Sequence, residues 1–330
     1  MGEPTMAEAA LRIYDGEERP TIHTVFRDHI LPELQARKAA GTIRNYETAL
    51  RKFLAFLELG TSTTSTRATG IPDDSTLLKW QQWMVESDYK PSTVNKDWKF
   101  LRAILRRMGP RGTGNPRGLG VIEEIPHVDR LTEAPPKRTV VDLSALDSIY
   151  AYACRDMAWP ESHACAIWRA WLVCEYNLAM RTRDLIGLRW SSIYWEPPSL
   201  DPDSVNESPY GWVQWVPEKT KRKKPHPLVL PMNRIVHEHL RQLEGLDDRY
   251  VFGREFALVS NRKLYGQADR PGHWRQLQDL AATFQTFPRF DIKAIRATAN
   301  TQYNRLDRNL GSHVLGHAPR GVNDMFYQQW

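Results

Sequence analysis

The sequence predicts a mainly α-helical chain of two domains, with one small antiparallel β element in the second. Three observations carry that prediction. Apolar residues recur at steps of three and four over most of the chain. A glycine- and proline-rich stretch near residues 109–138 divides it. A single pair of β-forming runs flanks a basic tip near residue 220. With 330 residues and 41% hydrophobic content, the chain is long and apolar enough to bury two cores, and wholesale disorder is excluded.

Residues 1–20 carry early acids and no apolar core of signal-peptide length, and are expected to form a mobile tail. The first domain is expected over residues 21–110. Within it, Thr42 to Leu59 places Ile43, Tyr46, Leu50, Phe53, Leu54 and Leu57 on one stripe, with Thr42 as a candidate N-cap. The stretch from Ser92 does the same with Val94, Trp98, Leu101, Leu105 and Met108, and Ser92 can cap it. Weaker helices fit Val25 to Gln35 and Ser75 to Ser87, so four helices with short connections make a small bundle.

Residues 111–138, which include most of GPRGTGNPRGLG and APPKRT, read as a flexible linker. The second domain is expected over residues 139–330. Helical patterns run through VDLSALDSIYAYA and WRAWLVCEYNLAM, and resume after His237. Between them GWVQWVPE and HPLVLP form a hairpin around KTKRKKP. There are no internal repeats.

The net charge of +6 is modest, with 45 Lys and Arg against 39 Asp and Glu. Its distribution is more informative than its size. Residues 90–111 carry Lys90, Lys96, Lys99, Arg102, Arg106, Arg107 and Arg111 against Asp97 alone, an excess as large as that of the whole chain. On a helix Lys99, Arg102 and Arg106 share one side, away from the apolar stripe. The hairpin tip adds Lys219, Lys221, Arg222, Lys223 and Lys224. A charge run is ordinarily a solvated face. Two such runs in separate domains suit the two halves of a clamp on a polyanion, neutralising phosphate rather than reading sequence. Lys96, Lys99, Arg102, Arg106, Lys221 and Arg222 are therefore candidate phosphate-contacting residues.

Other classes are excluded. No run of eighteen apolar residues is present, so no membrane span is expected and the chain reads as cytoplasmic. Cys154, Cys165 and Cys174 lack metal-ligand spacing and read as reduced core thiols, so no metal site is expected. The twelve tryptophans form no stacking array and read as core or interface residues.

The last third of the chain carries the chemistry. NLAMRTRDLIGLRW puts Arg181 just after an apolar helix, with Thr182 and Asp184 suited to begin the next. FDIKAIRATAN gives Lys293 and Arg296, neighbours on one helix face. VLGHAPRGVNDMFY gives His317 after a Leu-Gly step, then Tyr327. These are two guanidiniums, an ammonium, an imidazole and a phenol, in that order.

In that order the motifs resemble those of the tyrosine recombinase, or phage integrase, family. The family's G-L-R-x-x-E-L-x-x-L-x-W stretch corresponds to AMRTRDLIGLRW, its H-x-x-R to KAIR, its L-G-H to the step ending at His317, and its hairpin lysine to the PEKTKRKKP region. TIRNYETALRKFLAFL and PSTVNKDWKFLRAILRRM resemble helices of the family's core-binding domain, so the likeness spans roughly residues 21–330. It implies a SAM-like helical core-binding domain and a catalytic domain closing as a C-shaped clamp on double-stranded DNA. It implies site-specific strand exchange through a 3′-phosphotyrosine and a Holliday junction. It also implies a homo-oligomer, a tetramer at synapsis, with room for accessory DNA-bending or directionality proteins, and a protein associated with the nucleoid. No metal or cofactor is called for.

The resemblance implies a role for each candidate. Arg181 and Arg296 would clamp the scissile phosphate with paired hydrogen bonds. Tyr327 would attack phosphorus. Lys219 would protonate the leaving 5′-oxygen, although Lys221 aligns instead if the hairpin tip is shifted. Lys293 and His317 would hydrogen-bond the phosphate, and Asp184 would orient a catalytic cation. Arg183 and Arg189 are read as structural or backbone-binding. Three departures stand out. Lys293 occupies a position where the family most often has histidine, the His317–Tyr327 interval is one residue longer than usual, and three residues follow Tyr327. From the short tail, subunit exchange through a further helix is not expected unless more chain follows, and from its start no arm-binding domain is expected. Two rivals share the fold: a strand-relaxing topoisomerase of type IB chemistry, and a non-cleaving DNA-binding regulator. The intact Arg, Arg, His and Tyr set argues against the second.

Overall fold

The computed structural model describes residues 20–60, 70–135, 140–195, 209–218, 227–267, 270–307 and 310–314. The chain divides into two compact units, Met1–Pro136 and Lys137–Trp330, each with its own apolar core. Among the described residues no helix is long and apolar enough to cross a membrane.

The first unit opens with α1 (Ile22–Val25), a π-helical turn over Phe26–Ile30, and α2 (Leu31–Arg37). The Thr21 hydroxyl accepts from the Thr24 amide at 3.1 Å and starts the run three residues before the pattern alone suggests. Pro32, at the beginning of α2, lacks the N–H that an unbroken α-helix would require, and the Leu31 amide reaches back to Phe26 instead. Then come α3 (Ala40–Glu58), α4 (Asp74–Glu86) and α5 (Pro91–Met108).

The expected stripes face the core. Leu50, Phe53 and Leu57 of α3 are buried, as are Val94, Trp98, Leu101, Leu105 and Met108 of α5. Phe56, outside the expected stripe, is also fully buried and rests against Trp83, with 5.7 Å between ring centroids. Burying each large side chain stabilises the bundle by roughly 2 kcal/mol relative to exposure. The caps differ from expectation. The Thr42 amide donates to the Ala39 carbonyl at 2.8 Å, which puts Thr42 inside α3. Ser92 lies inside α5, because Pro91 takes the first helical position, where its fixed φ fits and its missing N–H has no partner to lose. Asp73 caps α4, accepting from the Thr76 amide at 2.7 Å.

The glycine- and proline-rich segment is not a free tether over its described length. After α5 its backbone returns across the end of that helix, with the Leu119 amide on the Arg107 carbonyl and the Val121 amide on the Met108 carbonyl, both at 2.8 Å. Buried Val128 joins the first core, and Ile122, Ile125 and Leu131 pack against it. Two buried amides fasten the rest. Gln81 donates to the Asp129 carbonyl at 2.8 Å. Asn95 accepts from the Leu131 amide and donates to the Leu131 carbonyl, both at 2.8 Å, and also reaches Glu133 at 2.7 Å. Composition indicated a flexible linker because the segment lacks helical periodicity. Its scattered aliphatic residues nonetheless bury without regular structure.

The second unit comprises α6 (Leu143–Ala151), α7 (Ala164–Asn177), α8 (Thr182–Ile186), a sheet, α9 (Arg234–Arg241), α10 (Gly253–Ala257), α11 (Asn261–Tyr265), α12 (His273–Ala281), α13 (Lys293–Leu306) and α14 (Leu310–Val314). Its core is rich in aromatics: Trp168, Trp171 and Phe256 are fully buried, and their rings meet at 5.1–6.3 Å. Cys154 and Cys174 are buried there as free thiols, and Cys165 is half-buried.

The sheet is antiparallel, in the order β1 (Ile193–Tyr194), β2 (Trp212–Trp215), β3 (Leu228–Pro231). The expected hairpin corresponds to β2 and β3, with Val213 opposite Leu230. Two-residue β1 is an addition too short to leave a period in the sequence. The basic tip, with Lys219, Lys221 and Arg222, lies outside the described residues, as do the tail 1–19 and the segment carrying His317 and Tyr327.

Asn95 offers a direct test of the folded segment. Asn95→Ala should lower stability in chemical denaturation by about 2 kcal/mol, the cost of stranding buried backbone partners. It should also open residues 121–135 to limited proteolysis. An unaltered midpoint and cleavage pattern would mean that apolar contacts alone hold the segment.

Candidate active site

In the second unit three elements bring the described candidates together. α7 ends at Asn177, and the chain turns through Leu178, Ala179 and Met180 to reach Arg181 and α8. α13 begins at Lys293 and supplies Arg296 one turn later. The turn is tight because Ala179 takes φ +45°, in the left-handed region, while fully buried. The Ala179 carbonyl accepts a hydrogen bond from Arg296 Nη1 at 2.5 Å. Positions 179 and 296 are thereby joined, and Arg296 is fixed beside Arg181.

The electrostatics follow from burial. Arg296 is half-buried, and its pKa falls to about 10, first because its charge is desolvated and second because Arg181 repels it. Asp184 answers Arg181 from one turn along α8, with 3.7 Å between Arg181 Nη1 and Asp184 Oδ2. Asp184 Oδ1 accepts from the backbone amide of Glu218 at 2.9 Å. Glu218 immediately precedes Lys219, so the end of the described segment after β2 is fastened to the arginine site. Burial raises the Asp184 pKa, against that hydrogen bond and both arginines.

A second carboxyl sits deeper. Glu175, on α7, is fully buried and its pKa rises to about 8 through desolvation. Thr182 Oγ1 donates to Glu175 Oε1 at 3.3 Å, and Arg296 and Asp184 are its charged neighbours. Lys293 lies exposed at the start of α13, its backbone amide on Asp291 Oδ1 at 3.0 Å. The expectation that Arg183 is structural fits its contacts: it donates to Asn261 and, at 2.7 Å, to the Val259 carbonyl, tying α8 to the start of α11. Arg189 lies over the Tyr250 ring, 6.0 Å from its centroid. Lys219, His317 and Tyr327 fall outside the described residues.

The first unit carries the other candidate surface. Lys96, Lys99, Arg102 and Arg106 are all exposed on α5. Arg107 is not part of that face: it pairs with Glu33 at 2.5 Å, and Arg117 joins the same carboxylate at 2.9 Å. Arg102 and Arg106 border an open pocket of about 640 Å³, shared with Arg111, Asn115, Ile125 and His127.

Sequence reasoning missed two residues of the arginine site. Ala179 stands where the resembling motif has glycine, and that substitution was the available signal. Glu175 had none, since its carboxyl lies within an otherwise apolar helix and outside every motif.

Solved structures match the whole chain. A lambda integrase tetramer bound to a Holliday junction superposes with a TM-score of 0.58 at 16% identity, covering 98% of this chain and 82% of that one. XerH site-specific recombinase bound to difH, in a pre-cleavage complex, gives 0.58 at 12% identity, covering 94% and 82%. The Tn1549 transposon integrase with transposon right-end DNA gives 0.55 at 14% identity, covering 94% and 95%. No family model matches the sequence, and no curated protein does. The class the structure defines is therefore one of fold: mainly helical with a small antiparallel sheet, the fold of tyrosine recombinases.

The left-handed Ala179 gives a conformational prediction. A left-handed alanine costs roughly 1–2 kcal/mol, which glycine escapes. Ala179→Gly should therefore leave the melting temperature unchanged or raised, despite losing a buried methyl. A loss of about 1 kcal/mol, usual for glycine replacing alanine in regular structure, would place Ala179 in an unstrained turn.

Proposed function

We propose that the protein is a site-specific DNA recombinase, or integrase, that breaks and rejoins strands through a 3′-phosphotyrosine. The observation that carries this reading is the meeting of Arg181 and Arg296 on separate helices in a partly desolvated site. Two guanidiniums held close in a low dielectric repel one another and are stabilised by a shared anion. A phosphodiester, with two non-bridging oxygens, suits a pair of forked donors. The pair gains most as charge builds on those oxygens in the pentavalent transition state.

The chemistry then assigns the remaining roles. Tyr327 attacks phosphorus and releases the 5′-oxygen, which Lys219 protonates, with Lys221 the alternative donor. Lys293 and His317 hydrogen-bond the phosphate, and His317 helps to take the phenol proton. Asp184 orients Arg181, and its bond to Glu218 carries the hairpin toward the same phosphate. The covalent link conserves the phosphodiester energy, so rejoining needs no nucleotide. A second duplex receives the strand through a Holliday junction within a homo-tetramer, accessory proteins setting direction, on DNA in the cytoplasm. The DNA-bound state of the solved neighbours, one of them a tetramer on a Holliday junction, supports this reading. The exposed face of α5, together with Lys221 and Arg222, would bind duplex backbone in sequence-independent fashion.

Suicide duplexes built from the DNA flanking the gene test the chemistry. Wild-type protein should form covalent adducts, Tyr327→Phe should form none while binding duplex nearly as well, and Arg181→Ala should slow adduct formation by about 10²–10³. Adducts persisting in Tyr327→Phe would overturn the nucleophile. Lys99→Ala and Arg106→Ala should each weaken binding and reduce the salt slope by about one. Unaltered slopes would remove α5 from the interface.

A further inference from the structure

The mechanism leaves Glu175 unused, and its setting is unusual. It projects from α7 with no exposed surface. One carboxyl oxygen accepts from Thr182 at 3.3 Å, while Oε2 is buried without a hydrogen-bond partner among the described residues. The ionisable groups around it come from four elements: Arg296 on α13, Asp184 on α8, Tyr265 on α11, and Cys174 beside it on α7. Thr182, at the start of α8, thus links the buried carboxyl to the turn that carries Arg181.

A glutamate in such a place has two states with different consequences. As the neutral acid it leaves Arg181, Arg296 and Asp184 with a net charge of +1, which attracts an anion. As the carboxylate it brings that sum to zero and puts negative charge behind the guanidinium that would grip the phosphate. We propose that Glu175 is a positioning residue of the arginine pair, held as the neutral acid while a phosphodiester is bound, whose ionisation weakens the hold of Arg296 on that anion. The inference rests on the phosphodiester reading of this site and adds a control to it.

The direction of the effect follows by linkage. Desolvation holds the Glu175 carboxyl protonated up to about pH 8. A bound phosphate disfavours the carboxylate further, so protonation and binding favour each other. Affinity is then flat from pH 6.5 to 7.5 and falls above pH 8, by at most about tenfold per pH unit if only the neutral form binds. Glu175→Gln keeps the shape and the acceptor for Thr182 but cannot ionise.

The experiment measures duplex affinity from pH 6.5 to 9, using DNA from the flanks of the gene, for wild type, Glu175→Gln and Arg181→Ala. Wild type should weaken above pH 8, and Glu175→Gln should hold its neutral-pH affinity to pH 9. Calorimetry at pH 8.5, in buffers of different ionisation enthalpy, should show wild type taking up part of a proton on binding and Glu175→Gln taking up less. If Glu175→Gln follows the wild-type curve, or wild type takes up no proton, the inference fails while the recombinase reading stands. If Arg181→Ala binds and cleaves as wild type does, the arginine pair is not a phosphate site and both readings fail.

Discussion

A guanidinium taken partly out of water is the constraint on which the second unit depends. Arg296 loses hydration on α13, and isolated charge in such a place is costly. The fold offsets that cost locally. The Ala179 carbonyl accepts from it, which requires a left-handed backbone at a residue with a Cβ. Asp184 and Glu175 lie within electrostatic reach, on the two helices that flank the turn. The same turn delivers Arg181 to the N-cap of α8, with an extended backbone. One half-buried cation thus sits beside a left-handed alanine, an ion pair across one helical turn and a glutamate in an apolar helix.

The first unit handles charge in the opposite way. Its buried charges are paired with each other and leave the surface free. Asp97 is almost wholly buried on α5 and is met by Lys52 at 2.6 Å, while Lys52 also lies over the Tyr89 ring. Glu33 gathers Arg37, Arg107 and Arg117. The helix richest in basic residues therefore assigns its charges by position. Arg107 faces inward and is neutralised, whereas Lys96, Lys99, Arg102 and Arg106 remain exposed, Arg106 with Nη2 on the Gly114 carbonyl. Exposed like charges a helical turn apart repel slightly, and a polyanion laid along them relieves that repulsion.

Much of this was legible in the sequence, for reasons that differ by element. The stripes of α3 and α5 were readable because helical period and burial coincide at Leu50, Phe53, Trp98 and Leu105. Arg181 and Arg296 were readable because short motifs fall in a fixed order. The caps were not, since Thr42 and Ser92 are good cap residues in the wrong place, one overrun by backbone bonding and the other displaced by Pro91. The segment after α5 read as a tether because glycine and proline dominate its composition. What holds it is a pair of amides, Gln81 and Asn95, whose partners lie 48 and 36 residues away. No local pattern encodes such a contact. Glu175 was invisible for the same reason: its meaning depends on Arg296, 121 positions further along the chain.

The placement of the two carboxyls at the arginine pair has a physical logic beyond neutralisation. Had both been ionised, the cluster would be electrically satisfied without ligand and an anion would gain little by entering. Had neither been present, two half-desolvated guanidiniums would repel and one would swing into solvent. Asp184, with a backbone hydrogen bond from Glu218 and Arg181 one turn before it, is only partly buried and is the carboxyl suited to stay charged, although burial raises its pKa. Glu175, with a single hydroxyl donor and no exposure, is the one suited to stay neutral. Burial is the first cause of the upward pKa shift at both carboxyls and is complete only at Glu175, so with Glu175 neutral and Asp184 charged the cluster carries one positive charge in excess, which an anion would balance.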